Sequence, residues 1–206
     1  MGHEEGRPRD ETALKAALSL VPFVGGALAT VFGDEMDRRR ERARETASVV
    51  AESVDAGELV SRLEEDQRLA ALFAQAVESG ARTTLREKRR AMADAVSRAV
   101  LDTARVDEGQ LIIAALSDLD VPHLRELEAF RRRADAAEPD RQDAAARMIE
   151  TSTSGMISPI EAALMRHGCI WSTSLSVLGG STTHWGVTGF GRALLDELQG
   201  DDSGAA

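Results

Sequence analysis

Residues 158–190 read SPIEAALMRHGCIWSTSLSVLGGSTTHWGVTGF, and this stretch decides the fold. Ser158 before Pro159 is a helix start: a hydroxyl to cap free amides, then a residue whose fixed φ suits the first helical position. The helix runs from Ile160 to His167, and Gly168 ends it. Cys169 to Val177 then alternates with a two-residue period, which predicts a half-buried strand. Trp171, Thr173, Leu175 and Val177 fall on one face; Ser172, Ser174 and Ser176 fall on the other. Leu178-Gly179-Gly180-Ser181 supplies the turn, and Thr183 to Val187 returns as a second strand. Trp185 and Val187 are expected on the face of Trp171 and Leu175, which requires an odd-numbered loop. Thr188 caps a closing helix with Phe190, Leu194, Leu195 and Leu198 inward, and residues 200–206 form a disordered tail.

Upstream the chain reads as nearly all helix. From Asp34 to Val54, Met36, Ala43, Ala47, Val50 and Val54 make one narrow apolar stripe. Gly57 ends that helix or interrupts the following turn. Leu59 and Leu63 begin another segment, and Leu69, Leu72, Phe73, Ala76 and Val77 give it a wide apolar face, with Gly80 as C-terminal cap. Thr83 or Thr84 is placed to cap the next helix, Glu87 completing a capping box with Thr84; Leu85, Met92, Val96, Ala99 and Val100 line one side. Asp107 is placed to cap Gln110 to Leu119. Val121-Pro122 opens a further helix with Leu124, Leu127 and Phe130 inward. Ala134 to Gln142 reads as a linker, Ala144 to Ile149 as a short helix, and Thr151 to Gly155 as a turn.

The amino-terminal third raises a membrane question. Between Leu14 and Phe32 the one charge is Lys15, near the lower limit of length for a spanning helix. Pro22 removes a backbone donor and Gly25-Gly26 loosens the helix, so the run is expected to break into a buried helical hairpin. Leu18, Val21, Phe23, Val24, Leu28 and Phe32 are its candidate membrane or oligomer contacts. Five arginines follow within residues 38–44, but interleaved acids largely cancel them. Met1 to Glu11 lacks the cationic start and small-residue cleavage site of a secretory leader. The expected location is cytoplasmic, with peripheral membrane association as the alternative.

Composition narrows the function classes. The 206 residues carry a net charge of −10, 43% hydrophobic residues, 29% charged residues and one cysteine. That is a soluble globular composition, without a disulfide framework or a cysteine-based zinc cage. His167, Cys169 and His184 are the nearest approach to a metal-ligand set, but their placement favours Cys169 as a small buried hydrophobe. Phosphate-loop, nucleophile-elbow and His-Glu-x-x-His patterns are all missing. The sequence therefore predicts a protein without catalytic activity or cofactor.

The segments Leu164-Met165-Arg166-His167-Gly168-Cys169-Ile170 and Val187-Thr188-Gly189-Phe190-Gly191-Arg192-Ala193-Leu194-Leu195, with a hairpin between them, resemble the winged-helix superfamily over residues 121–199. The resemblance implies that Pro159 to His167 lies where such domains place their recognition helix, and that the Gly179-Gly180 hairpin is the wing. It does not supply the cations that reading DNA demands. Residues 172–186 hold no lysine or arginine, and residues 151–206 hold two arginines against five acids, a net −3. Candidate contacts to nucleic acid or a protein partner are Arg86, Lys88, Arg89 and Arg90, then Arg131, Arg132, Arg133 and Arg166. The cluster from Arg86 to Arg90 is expected to be a solvated face paired with acids.

The expected fold is mainly α: a helical bundle over residues 1–110, a winged-helix-like domain with one β-hairpin over 111–199, and a tail. The leading expectation is a regulatory or protein-interaction protein, self-association included. A DNA-binding transcriptional regulator and a membrane-associating effector acting through residues 14–32 are the alternatives.

Overall fold

The computed structural model describes residues 33–137, 149–151, 158–177 and 180–199. Its described part is mainly helical, with one small antiparallel sheet. The chain divides into two compact units, Met1–Ser117 and Asp118–Ala206.

The first unit contains α1 (Gly33–Ser53), α2 (Ala56–Glu65), α3 (Gln67–Arg82), α4 (Arg86–Leu101), a 3-10 turn at Thr103–Arg105 and α5 (Val106–Asp118), whose last residue, Asp118, opens the second unit. Its centre is the mutual packing of α1, α3 and α4. Ala43, Ala47 and Val50 of α1 are buried as the apolar stripe requires, and Thr46 completes that stripe without any signal in the hydropathy pattern. Asp55 caps α2 and Asp66 caps α3, each accepting two backbone N–H groups that the helix leaves free. Gly57 lies inside the first turn of α2 and ends nothing.

Three local readings fail here. Gly80 is not a cap: α3 continues to Arg82, and the missing side chain lets Thr46 of α1 seat against the backbone. The capping box does not form, because α4 begins one residue later than Thr84 demands. Leu85 is its N-cap and contributes no side-chain bond, while Thr83 Oγ1 accepts from the Leu85 N–H at 3.3 Å. Asp107 sits within α5 rather than ahead of it, and Asp102 caps the 3-10 turn.

The second unit contains α6 (Val121–Ala137), β1 (Ile149–Thr151), α7 (Pro159–Arg166), β2 (Ile170–Val177), β3 (Gly180–Val187) and α8 (Gly189–Gln199). The strands order β1-β3-β2, all antiparallel. Ile149 and Thr151, read as a helix end and a turn, therefore belong to a strand. Ala134, read as linker, is fully buried in α6. Leu127 and Phe130 of α6 form the core with Leu164, Ile170, Trp185, Leu194 and Leu195. The Phe130 and Trp185 rings lie 6.0 Å apart at 43°. The Trp185 Nε1 is buried without a hydrogen-bond partner among the described residues.

Local chemistry fixes the joints of this unit. Ser158 and Glu161 form a reciprocal capping box at the start of α7. Its end is a Schellman turn: Gly168 at φ +67, with Gly168 N–H on the Leu164-Met165 turn at the Met165 carbonyl and Cys169 N–H on the Leu164 carbonyl. The hairpin register pairs Trp171 with Gly186, Ser172 with Trp185, and Val177 with Gly180. The connection is thus the two residues 178 and 179, an even loop, and β3 starts at Gly180. Trp185 consequently lies on the face of Ile170 and Ser172, not on that of Trp171. The core takes Ile170 and Trp185; Trp171 is half-buried and its indole covers Gly186 on the opposite face. Thr188 then accepts the Gly191 N–H at 2.9 Å, as a cap for α8 should.

Among the described residues, no helix is long and apolar enough to cross a membrane. Leu18, Val21, Phe23, Val24, Leu28 and Phe32 lie outside the described residues, as do residues 144–148 and the tail from 200 onward.

Candidate interaction site

A groove of about 620 Å³ runs between α1 and the first half of α4. Its α1 wall carries Glu45, Ser48 and Glu52; its α4 wall carries Arg86, Arg90 and Asp94. The lining is polar and holds both signs of charge.

The groove splits the basic cluster in two. Arg86 and Arg90 are exposed, whereas Lys88 and Arg89 are buried, at 3% and 8% exposure. The expected solvated face is therefore only half correct. Arg89 donates to Glu45 Oε2 from Nε at 3.1 Å and lies 2.8 Å from it through Nη2, while Nη1 donates to the Thr83 carbonyl at 3.2 Å. Arg42 from α1 does the same one turn away, donating to the Ala81 carbonyl at 2.9 Å and to Glu35 at 2.9 Å. Two guanidinium groups thus satisfy carbonyls at the end of α3 and at the turn after it, carbonyls that a helix leaves without partners. The Arg42 hydrogen bond holds the Glu35 carboxyl below its usual range, with Arg39 assisting.

Truncating Arg89 to Ala frees the Thr83 carbonyl and leaves Glu45 without its closest partner. Glu45 is partly exposed and rehydrates, so the cost is expected near the low end for a broken ion pair, about 1–2 kcal/mol. Arg89→Lys keeps the charge but not the fork, and is expected to recover less than half of that loss in urea denaturation.

Asp94 has the opposite character to Glu35. Burial raises its carboxyl above the ordinary value, against the pull of Arg90 and Arg98. A raised acid binds its proton more tightly when folded, so stability falls as pH rises from the unfolded value through the folded one. Asp94→Asn is expected to raise the melting temperature near neutral pH, and the gain is expected to vanish below about pH 4. A gain of equal size at both pH values excludes burial of the charge as its source.

In the second unit Arg131, Arg133 and Arg166, and Arg192 beside them, are paired. Arg131 binds Asp196 at 2.6 Å, Arg192 binds Asp135 at 2.9 Å, and Arg166 lies 3.5 Å from Asp118. Arg133 donates to Glu126 at 2.6 Å and covers the Phe130 ring at 4.6 Å. Arg132 is exposed. His167 sits 3.2 Å from the same Asp118 carboxylate. Burial pushes the Cys169 thiol up to about 11, so at neutral pH it stays protonated and is a poor nucleophile. Among the described residues no three ligand-type side chains gather to hold a metal ion.

The groove itself went unread in the sequence. Its signal, Glu45 of α1 shared by Arg86 and Arg89 of α4, exists only once two helices some forty residues apart are packed. No protein-family model, no curated protein and no solved structure matches this chain.

Proposed function

We propose that this chain is a non-catalytic protein-interaction or regulatory protein. Its α1–α4 groove receives a charged polypeptide segment, and its second unit is a winged-helix-like domain used for protein contact. The pairing of arginines with carboxylates carries this reading. Arg131, Arg133, Arg166 and Arg192 each already face an acid, so phosphate contact has to break an existing ion pair at each one. A mixed-charge groove, by contrast, suits a polypeptide that exchanges ion pairs with it. The strand order β1-β3-β2 with α7 before the hairpin and α8 after it supports the winged-helix reading. In that reading Pro159 to His167 stands in the place of the recognition helix.

Two experiments test it. In-cell crosslinking followed by affinity capture is expected to recover a partner that is lost with Arg86→Glu/Arg90→Glu and kept with Arg132→Glu. Recovery indifferent to the groove pair overturns the assignment of the site. Labelled duplex DNA at low salt is expected to show no mobility shift; a shift that weakens steeply with salt favours the DNA-binding regulator instead.

That alternative rests on the order of elements in the second unit. The membrane alternative rests on residues 14–32, and flotation with liposomes decides it. Recovery of the intact chain in the floating fraction, lost on deletion of residues 1–33, supports lipid contact over the cytoplasmic location proposed here.

A further inference from the structure

The run from Gly168 to Gly191 is 24 residues without Asp, Glu, Lys or Arg, in a chain 29% of whose residues are charged. The structure turns this run into the hairpin and leaves β2 at the edge of the sheet. Edge strands present a row of unpaired backbone N–H and C=O groups, and proteins guard them with lysine, proline, bulges or short length. None of these guards β2. Its eight residues, Ile170–Val177, are longer than a typical strand, hold no charge and no proline, and pair with β3 in unbroken register from Ile170–Val187 to Val177–Gly180. Among the described residues no strand lies along its outer side.

We infer that β2 is a self-recognition edge: two copies of the chain pair β2 with β2 antiparallel across a two-fold axis, extending the sheet from one subunit into the next. The sequence of the strand selects a second copy as the occupant. An antiparallel two-fold centred on Thr173 or Ser174 sets each residue against one of the same parity. With the axis on Thr173, Trp171 lies across from Leu175, Ser172 from Ser174 and Thr173 from its own copy, and Ile170 against Ser176 is the one mixed pair; with the axis on Ser174, Trp171 meets Val177 and Ser172 meets Ser176, and Thr173 against Leu175 is the mixed pair. The net charge of −10 makes two copies repel over most of their surfaces, and the uncharged run is where that repulsion is least. The inference is independent of the proposed groove partner.

Light scattering of the full chain is expected to give twice the chain mass, falling to one chain on dilution and not weakened by salt, since backbone hydrogen bonds carry the contact and salt screens the repulsion between the copies. Thr173→Lys/Leu175→Lys is expected to halve the mass by placing like charges across the axis. A chain monomeric at every concentration reached overturns the inference, including the case in which some other protein's strand takes the edge. A dimer that survives both lysines, with circular dichroism unchanged, also overturns it. Should the lysine variant fail to fold, cysteine placement decides. Thr173→Cys and Ser174→Cys are made singly beside the native Cys169, which is buried. Cα atoms opposed across an antiparallel pair are about 4.5–5.5 Å apart, within disulfide reach. The variant lying on the axis is expected to crosslink to a dimer under mild oxidation, with Thr84→Cys, exposed on the other unit, as the uncrosslinked control. Crosslinking at neither strand position overturns the proposal.

Discussion

Gly191→Ala is expected to destabilise the second unit by at least about 3 kcal/mol, the upper end for an overpacked site. A Cβ there meets the Cys169 backbone: it lies 2.9 Å from the carbonyl carbon, 3.1 Å from Cα, and closer still to the oxygen. Backbone cannot swing aside as a side chain can. This carbonyl is also engaged, accepting the Thr188 N–H at 3.0 Å and the Thr188 hydroxyl at 3.2 Å. Moving it breaks the joint that ties the end of β3 and the start of α8 to the start of β2. Alanine's better helix propensity returns less than about 1 kcal/mol. Urea denaturation is expected to show the second unit's transition at much lower denaturant, with the first unit's transition unmoved. A shift under about 1 kcal/mol means that α8 can slide from the hairpin without cost, and sinks the account of this joint.

Gly80→Ala is expected to cost about 2 kcal/mol, and Thr46→Ala in the same chain to return most of it. The added Cβ overlaps Thr46 Oγ1 and comes within 3.2 Å of Thr46 Cβ and Cγ2. Thr46 is fully buried, and its hydroxyl donates to the Arg42 carbonyl at 2.9 Å, so turning it away breaks that bond. In an open helix the same substitution is favourable by up to about 1 kcal/mol, which makes the sign of the result decisive. Non-additivity in the four-member cycle checks it: additive costs place the strain somewhere other than the α1–α3 crossing.

These two glycines mark where the sequence could be read. Ser158, Gly168 and Thr188 were legible because each acts on backbone within a few residues of itself, and a cap or a left-handed turn leaves a local signature. Gly80 carried the same local signature as a C-cap. What distinguishes it is Thr46, on another helix, and nothing near residue 80 encodes that contact. Thr84 and Glu87 matched a capping box by spacing alone, but the chain leaves Thr83 extended and Leu85 takes the cap. The hairpin was legible as a hairpin, whereas its inward face was not. Alternation gives two faces and places Trp185 on that of Trp171. The two-residue loop instead sets Trp185 opposite Ser172, so the core receives its aromatic ring from β3. β1 spans three residues, too few for any period to show. The candidate site was legible as a charge cluster and no further, because burial of Lys88 and Arg89 comes from tertiary packing that five adjacent charged residues do not announce.

The pairing of Trp171 with Gly186 and of Trp185 with Ser172 has a practical consequence. The chain has two tryptophans and no tyrosine, and both indoles belong to the second unit, on opposite faces of one hairpin. Intrinsic fluorescence excited in the indole band therefore monitors that unit alone and is blind to the first unit. The emission also separates into a sheltered fluorophore and one open to an aqueous quencher such as acrylamide, so a single cuvette can report on each face of the ribbon.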